Sequence, residues 1–151
     1  MERKSLYQPV VYKECLERLS KIGSDSAPQW GKMSAAQMCA HCSEVQAVAN
    51  GDKDLKSPWI MKLFKGRIRK TVFGDDPYTK NSPTASQYVI KEEKDFGQEK
   101  DRLLVALEKF HSMSPEEALK IAHPFFGIVP LDERGWGMYK HLDHHLVQFG
   151  V

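Results

Sequence analysis

The stretch KHLDHHLVQFG, residues 140–150, places His141, His144 and His145 within five positions near the end of the chain. Imidazole is a common ligand for divalent metals and titrates near neutrality, so such a cluster can hold an ion or move a proton. On a helix, residues four apart sit only about 40° from each other, one turn on. His141 and His145 therefore project the same way. They flank Leu142, Leu146 and Phe149, so they face an interior, while His144 lies to one side. Two imidazoles on one helix make a poor site alone, because catalytic zinc usually takes three protein ligands and keeps an open position for water or substrate. A third ligand must come from another element.

The clearest candidate is His41. Ser34-Ala-Ala-Gln37 reads as a capping box, in which the serine hydroxyl and the glutamine amide satisfy orphan backbone N–H groups at a helix start. Met38, His41, Cys42, Val45 and Ala49 then form one stripe, and Asn50-Gly51 ends the helix. His41 falls in the middle of that inward face. Gln37 and Glu44, one turn before and after it, are candidates to orient its ring, as ligand histidines usually require, with surface solvation as the plainer alternative. Two readings stay open on these residues alone. In one, His41, His141 and His145 hold a divalent ion. In the other, His41 is a core histidine bonded to backbone, and the terminal histidines sit at a solvated helix end favoured by the helix dipole.

The elements that must position these groups are helical. Tyr12, Cys15, Leu16, Leu19 and Ile22 predict a first helix over about 5–22. The capped second helix follows the breaker GSDSAP. Ser57-Pro58 marks a short amphipathic helix, WIMKLFKGRIRK, broken near Gly66. GDDPYTKNSPTAS is a long connection rich in turn formers, a pattern that more often builds a pocket wall than filler. A short extended piece is expected around 87–90. A long helix over about 95–111 buries Phe96, Leu103, Leu107 and Phe110; Ser114-Pro115-Glu116-Glu117 opens a short one; the last runs over about 132–149. The expected fold is a single all-α domain over 1–151. It is a four-helix bundle with a long crossover between its second and third long helices and a short extra helix before the last.

Composition narrows the function classes. With 151 residues, 41% hydrophobic and 28% charged, the chain suits one globular domain with a real core. A net charge of +2 gives no reason to expect nucleic acid as a partner. No apolar run approaches the roughly 20 residues of a membrane span. The N-terminus lacks a continuous apolar signal core, so the expected location is the cytoplasm. Cys39-Ala-His-Cys42 sits mid-helix rather than at the helix start that activates redox thiols, which favours small buried residues. His123, before Pro124 in HPFFG, is a candidate pocket or acid–base residue, with a loop-satisfying role as the plainer alternative. Lys56, Lys62, Lys65, Arg67, Arg69 and Lys70 surround Trp59, Ile60, Leu63 and Phe64. This basic 56–70 segment could dock an anionic partner, or simply be a solvated helix face.

WGKMSAAQMCAHC, HPFFG and KHLDHHLVQFG together resemble a small bacterial family of unknown function within the DinB/YfiT-like superfamily of metal-dependent four-helix proteins. That superfamily carries a histidine on helix two and a terminal H-x-x-H-H-x-x-Q, here His141, His144, His145 and Gln148. The resemblance implies His41, His141 and His145 as ligands, zinc or nickel as the ion, and a small-molecule substrate. It also brings in a low-molecular-weight thiol as a cofactor of some relatives, with transferase, isomerase or hydrolase chemistry, and a homodimer. Leu146-Val147 stand where many relatives carry a basic residue and a glycine. Three functions follow as expectations: a metal-dependent enzyme, a non-catalytic metal-stabilised or metal-sensing bundle, and a metal-free binding module using the basic segment.

Overall fold

A computed structural model describes residues 2–55 and 63–151. Among these residues the chain is all-helical: α1 (Pro9–Ser20), α2 (Ala35–Ala49), α3 (Lys65–Phe73), α4 (Phe96–Ser112), α5 (Pro115–Lys120) and α6 (Leu131–Gln148). Ser57-Pro58, Lys56, Trp59, Ile60 and Lys62 lie outside the described residues, and so does the first half of the expected basic helix. Its second half is α3, which continues through Gly66 instead of breaking there. No described helix is long and apolar enough to cross a membrane.

The caps explain where the long helices start. Ser34 accepts from the Gln37 N–H while the Gln37 side chain returns to the Ser34 N–H, and Ser114 and Glu117 repeat the box at α5. Asp95 accepts from the Gln98 N–H at the start of α4. α1 begins at Pro9, later than apolar spacing predicts. Proline at the first turn sets the start, and the residues before it form a turn closed by Gln8 N–H to the Ser5 carbonyl at 2.9 Å. Residues 86–88 form a 3-10 turn rather than the expected extended piece.

The four longer helices share one core, with Leu19, Met38, Cys39, Leu103, Leu107, Phe110, Trp136, Leu142 and Leu146 buried in it. α2 packs on α4, on α6 and on the 3-10 turn. That central position corrects the single stripe inferred for it. Cys39, Ala40 and Ser43 are buried as well as Met38, His41 and Cys42, while Val45 and Ala49 are only partly covered. Small side chains on several faces let three neighbours approach this helix at once.

Two buried cations bind the elements together. Lys140, on α6, donates to the Thr71 and Gly74 carbonyls at 2.7 and 2.9 Å, and Trp136 Nε1 donates to the Phe73 carbonyl at 3.2 Å. These bonds satisfy the orphan carbonyls at the end of α3. Arg134 donates to the Tyr7 hydroxyl at 3.1 Å, to the Ile121 carbonyl at 3.2 Å and to the Ala49 carbonyl, joining the ends of α2 and α5 to the N-terminal segment. Replacing Arg134 by Met strands two partly buried carbonyls, and we expect a loss of about 1–3 kcal/mol. Chemical denaturation would show it; a loss below about 0.5 kcal/mol would mean water replaces the guanidinium without penalty.

Candidate metal centre

α2 and α6 bring three imidazoles to one place. The ligating atoms of His41, His141 and His145 all lie within 4.8 Å of one another. His41 Nε2 and His141 Nε2 are 3.1 Å apart. The His145 ring lies 4.9 Å from that of His41 and 4.8 Å from that of His141, between centroids. His41 and His145 are buried, and His141 keeps some exposure.

Hydrogen bonds fix which nitrogen each of two rings presents. His41 Nδ1 lies 2.9 Å from the Tyr88 carbonyl, which can only accept, so Nδ1 carries the proton and Nε2 is a bare lone pair. His145 Nδ1 lies 2.8 Å from Gln148 Oε1, and the Gln148 amide nitrogen donates to the Trp30 carbonyl at 2.8 Å. The Trp30 carbonyl thereby fixes the amide orientation. His145 Nδ1 must donate, and its Nε2 is bare too. His141 differs from both: its Nε2 lies beside the His41 Nε2, and no fixed acceptor among the described residues sets its tautomer.

Burial holds the cluster neutral. Desolvation pushes the His41, His141 and His145 pKa values down, and the neighbouring imidazoles add to the effect for His141 and His145; His145 falls to about 3. Neutral imidazole is the form that ligates. The donor set fits a divalent ion: tetrahedral zinc with bonds of 2.0–2.1 Å places its nitrogens about 3.3 Å apart, close to the 3.1 Å between His41 and His141. Three imidazoles equally suit nickel.

The supporting residues divide. Gln148 touches His145. His144 lies beside it, 5.2 Å between centroids, with its own pKa lowered first by burial. Gln37 is occupied by the α2 cap and donates to the Glu92 carbonyl at 3.2 Å. Glu44 pairs with Arg102 at 2.8 Å and with Lys53. His123 stays in its own loop, accepting from the Phe125 N–H at 3.1 Å and stacking on Phe126 at 4.5 Å. Cys39 and Cys42 are buried and their thiol pKa values are raised by desolvation, Cys39 to about 11, so neither is poised as a thiolate.

The spacing of apolar residues could not find Tyr78 and Tyr88. Both come from the connection between α3 and α4. Tyr88 supplies the carbonyl for His41, and the Tyr78 ring lies 6.5 Å from that of His141 and 5.6 Å from that of His144. The only signal was the length and turn-rich composition of this connection. Two surface depressions, of about 330 and 630 Å³, are lined by none of the three histidines.

Residues 10–150 match a family model described as a protein of unknown function, DUF1569. The chain belongs to that family. No curated protein and no solved structure matches it. The family assigns no chemistry, so function rests on the histidines themselves.

His123 gives a separate test of the packing. Burial, with Arg134 and Arg69 nearby, lowers its pKa from 6.5 to about 4. The unfolded chain then binds more protons than the native state between these values. The stability His123 contributes is complete above about pH 6.5 and is lost as pH falls towards 4, on the order of 3 kcal/mol at most. The His123→Phe variant should lose less stability than wild type between pH 7 and 4.5 in urea melts. Parallel losses would show that His123 charges without penalty.

Proposed function

We propose that this protein is a divalent-metal enzyme of the DinB/YfiT-like four-helix type, with His41, His141 and His145 as ligands and zinc or nickel as the ion. One observation carries the reading: on two different helices, His41 and His145 each spend Nδ1 on a fixed acceptor, which leaves Nε2 bare, and the ligating atoms of all three histidines lie within 4.8 Å of one another. A merely structural buried histidine has no need for two such neighbours, because each unpaired imidazole nitrogen costs desolvation.

Bound there, the ion supplies Lewis acidity and can hold water or a low-molecular-weight thiol in deprotonated form. The chain's own part is positional. The Tyr88 carbonyl and Gln148 hold two rings in register and raise their basicity, and Tyr78 walls one side against water. We take the partner to be a small molecule, with neither nucleic acid nor membrane involved, and the assembly to be a homodimer in the cytoplasm.

Elemental analysis tests the core of this. Tag-free wild type equilibrated with limiting zinc or nickel should retain close to one ion per chain, and His41→Ala and His141→Ala should retain almost none. Equal retention in all three would sink the reading. A second reading, a metal-stabilised or metal-sensing module without catalysis, is favoured by one feature: His41 and His145 are both buried, as the ligands of a closed structural site are. Cobalt-loaded protein separates the two, since an open position lets added thiol alter the visible spectrum and a closed one does not. The metal-free module built on the basic segment predicts no retained metal and salt-sensitive binding to anionic partners; its described portion is Lys65, Arg67, Arg69 and Lys70.

A further inference from the structure

Trp30 carries a polar group that the fold does not use. Its Nε1 is buried and has no hydrogen-bond partner among the described residues, whereas Trp136 Nε1 is satisfied by the Phe73 carbonyl at 3.2 Å. Trp30 is also built into the histidine cluster. Its carbonyl receives the Gln148 amide at 2.8 Å, and its ring meets that of His144 edge-on at 5.7 Å.

A cation stands beside this orphan donor. Lys80 Nζ lies 4.5 Å over the Trp30 ring and forms no salt bridge among the described residues. Lys140, over the Tyr78 ring at 4.7 Å, is already committed to the Thr71 and Gly74 carbonyls. Tyr78 continues the wall from His144 to His141. One unpartnered N–H donor and one ammonium without a salt bridge among the described residues therefore meet at Trp30, whose ring touches His144, the neighbour of His145.

We infer that Trp30 and Lys80 bind the carboxylate of a small-molecule ligand next to the three histidines. The indole N–H donates to one carboxylate oxygen and the ammonium neutralises the charge. A carboxylate matches this pair better than a phosphoryl group, because one donor and one cation balance a single negative charge and leave a dianion undersatisfied. The inference deepens the metal reading by naming the class of ligand that accompanies the ion.

Indole N–H resonances of ¹⁵N-tryptophan-labelled protein report on this directly. The full chain, metal-free and zinc-loaded with zinc content measured first, is titrated with acetate and separately with acetamide and sulfate at constant ionic strength. Trp30→Phe identifies the resonance. We expect acetate to shift it saturably in the zinc-loaded protein, Lys80→Gln to weaken that binding at least fivefold, and acetamide to have no effect. No saturable shift, an equal response to acetamide, a stronger response to sulfate, or indifference to Lys80→Gln each overturns the carboxylate site. Absence of bound zinc instead overturns the metal reading, and the acetate titration of metal-free protein still decides this one.

Discussion

Zinc at about one hundred times its dissociation constant should raise the melting temperature of the wild-type protein by about 5–10 °C, and that rise should vanish in His41→Ala, His141→Ala and His145→Ala. The magnitude follows from linkage. Such an excess stabilises the native state by about 2.7 kcal/mol, and a domain of this size gains about 2–4 °C per kcal/mol. The same variants need not melt much lower than wild type without metal. Each removes contacts with its neighbours, but each also relieves an imidazole held neutral by burial and crowded by two others. That asymmetry distinguishes a ligand from a packing residue. If the variants lose stability in chelator and still respond to zinc, the histidines are core and the ion binds elsewhere. Scanning calorimetry with and without chelator reads both quantities on one sample.

Local chemistry made much of this molecule legible in its sequence. The Ser34–Gln37 and Ser114–Glu117 boxes marked two helix starts because a capping residue acts over three positions and needs no tertiary partner. The stripe Leu142, Leu146 and Phe149 is buried as its spacing predicted. His41 and the pair His141 and His145 met because each lay on the inward side of its own helix. What the sequence hid depends on the path of the chain between helices. Tyr88 reaches His41 through a backbone carbonyl, a group every residue carries, so no residue type could announce it. Glu44 looked suitable one turn from His41, yet Arg102 on α4 and Lys53 claim its carboxylate. A charged side chain near the surface goes to the nearest opposite charge rather than turning inward to a neutral ring. No residue pattern marks Arg134 and Lys140 as buried, and only the helix ends packed against them explain their burial.

Gln148 is the residue outside the trio whose loss should weaken metal binding most. It accepts from His145 Nδ1 and donates to the Trp30 carbonyl, so one amide fixes both the ring's tautomer and the loop that covers it. The backbone repeats the tie, with Gln29 N–H donating to the Gln148 carbonyl at 2.7 Å. Gln148→Met keeps the volume and deletes both side-chain bonds; zinc affinity should fall about 10–100-fold, the usual effect of losing a ligand's supporting partner. Gly31→Ala should produce the same loss from the opposite side. Gly31 has φ +84°, and a methyl there would lie 2.7 Å from Gln148 Nε2, so the amide must move away from His145. Gln148→Glu separates the two bonds: a carboxylate still accepts from His145 but repels the Trp30 carbonyl, so affinity should fall less than in Gln148→Met while the loop loosens. Competition with a chromophoric chelator measures affinity, and hydrogen exchange at Trp30 measures the loop. Unchanged affinity in both Gln148→Met and Gly31→Ala would reduce Gln148 to a helix-end residue and leave the His145 ring held by packing alone.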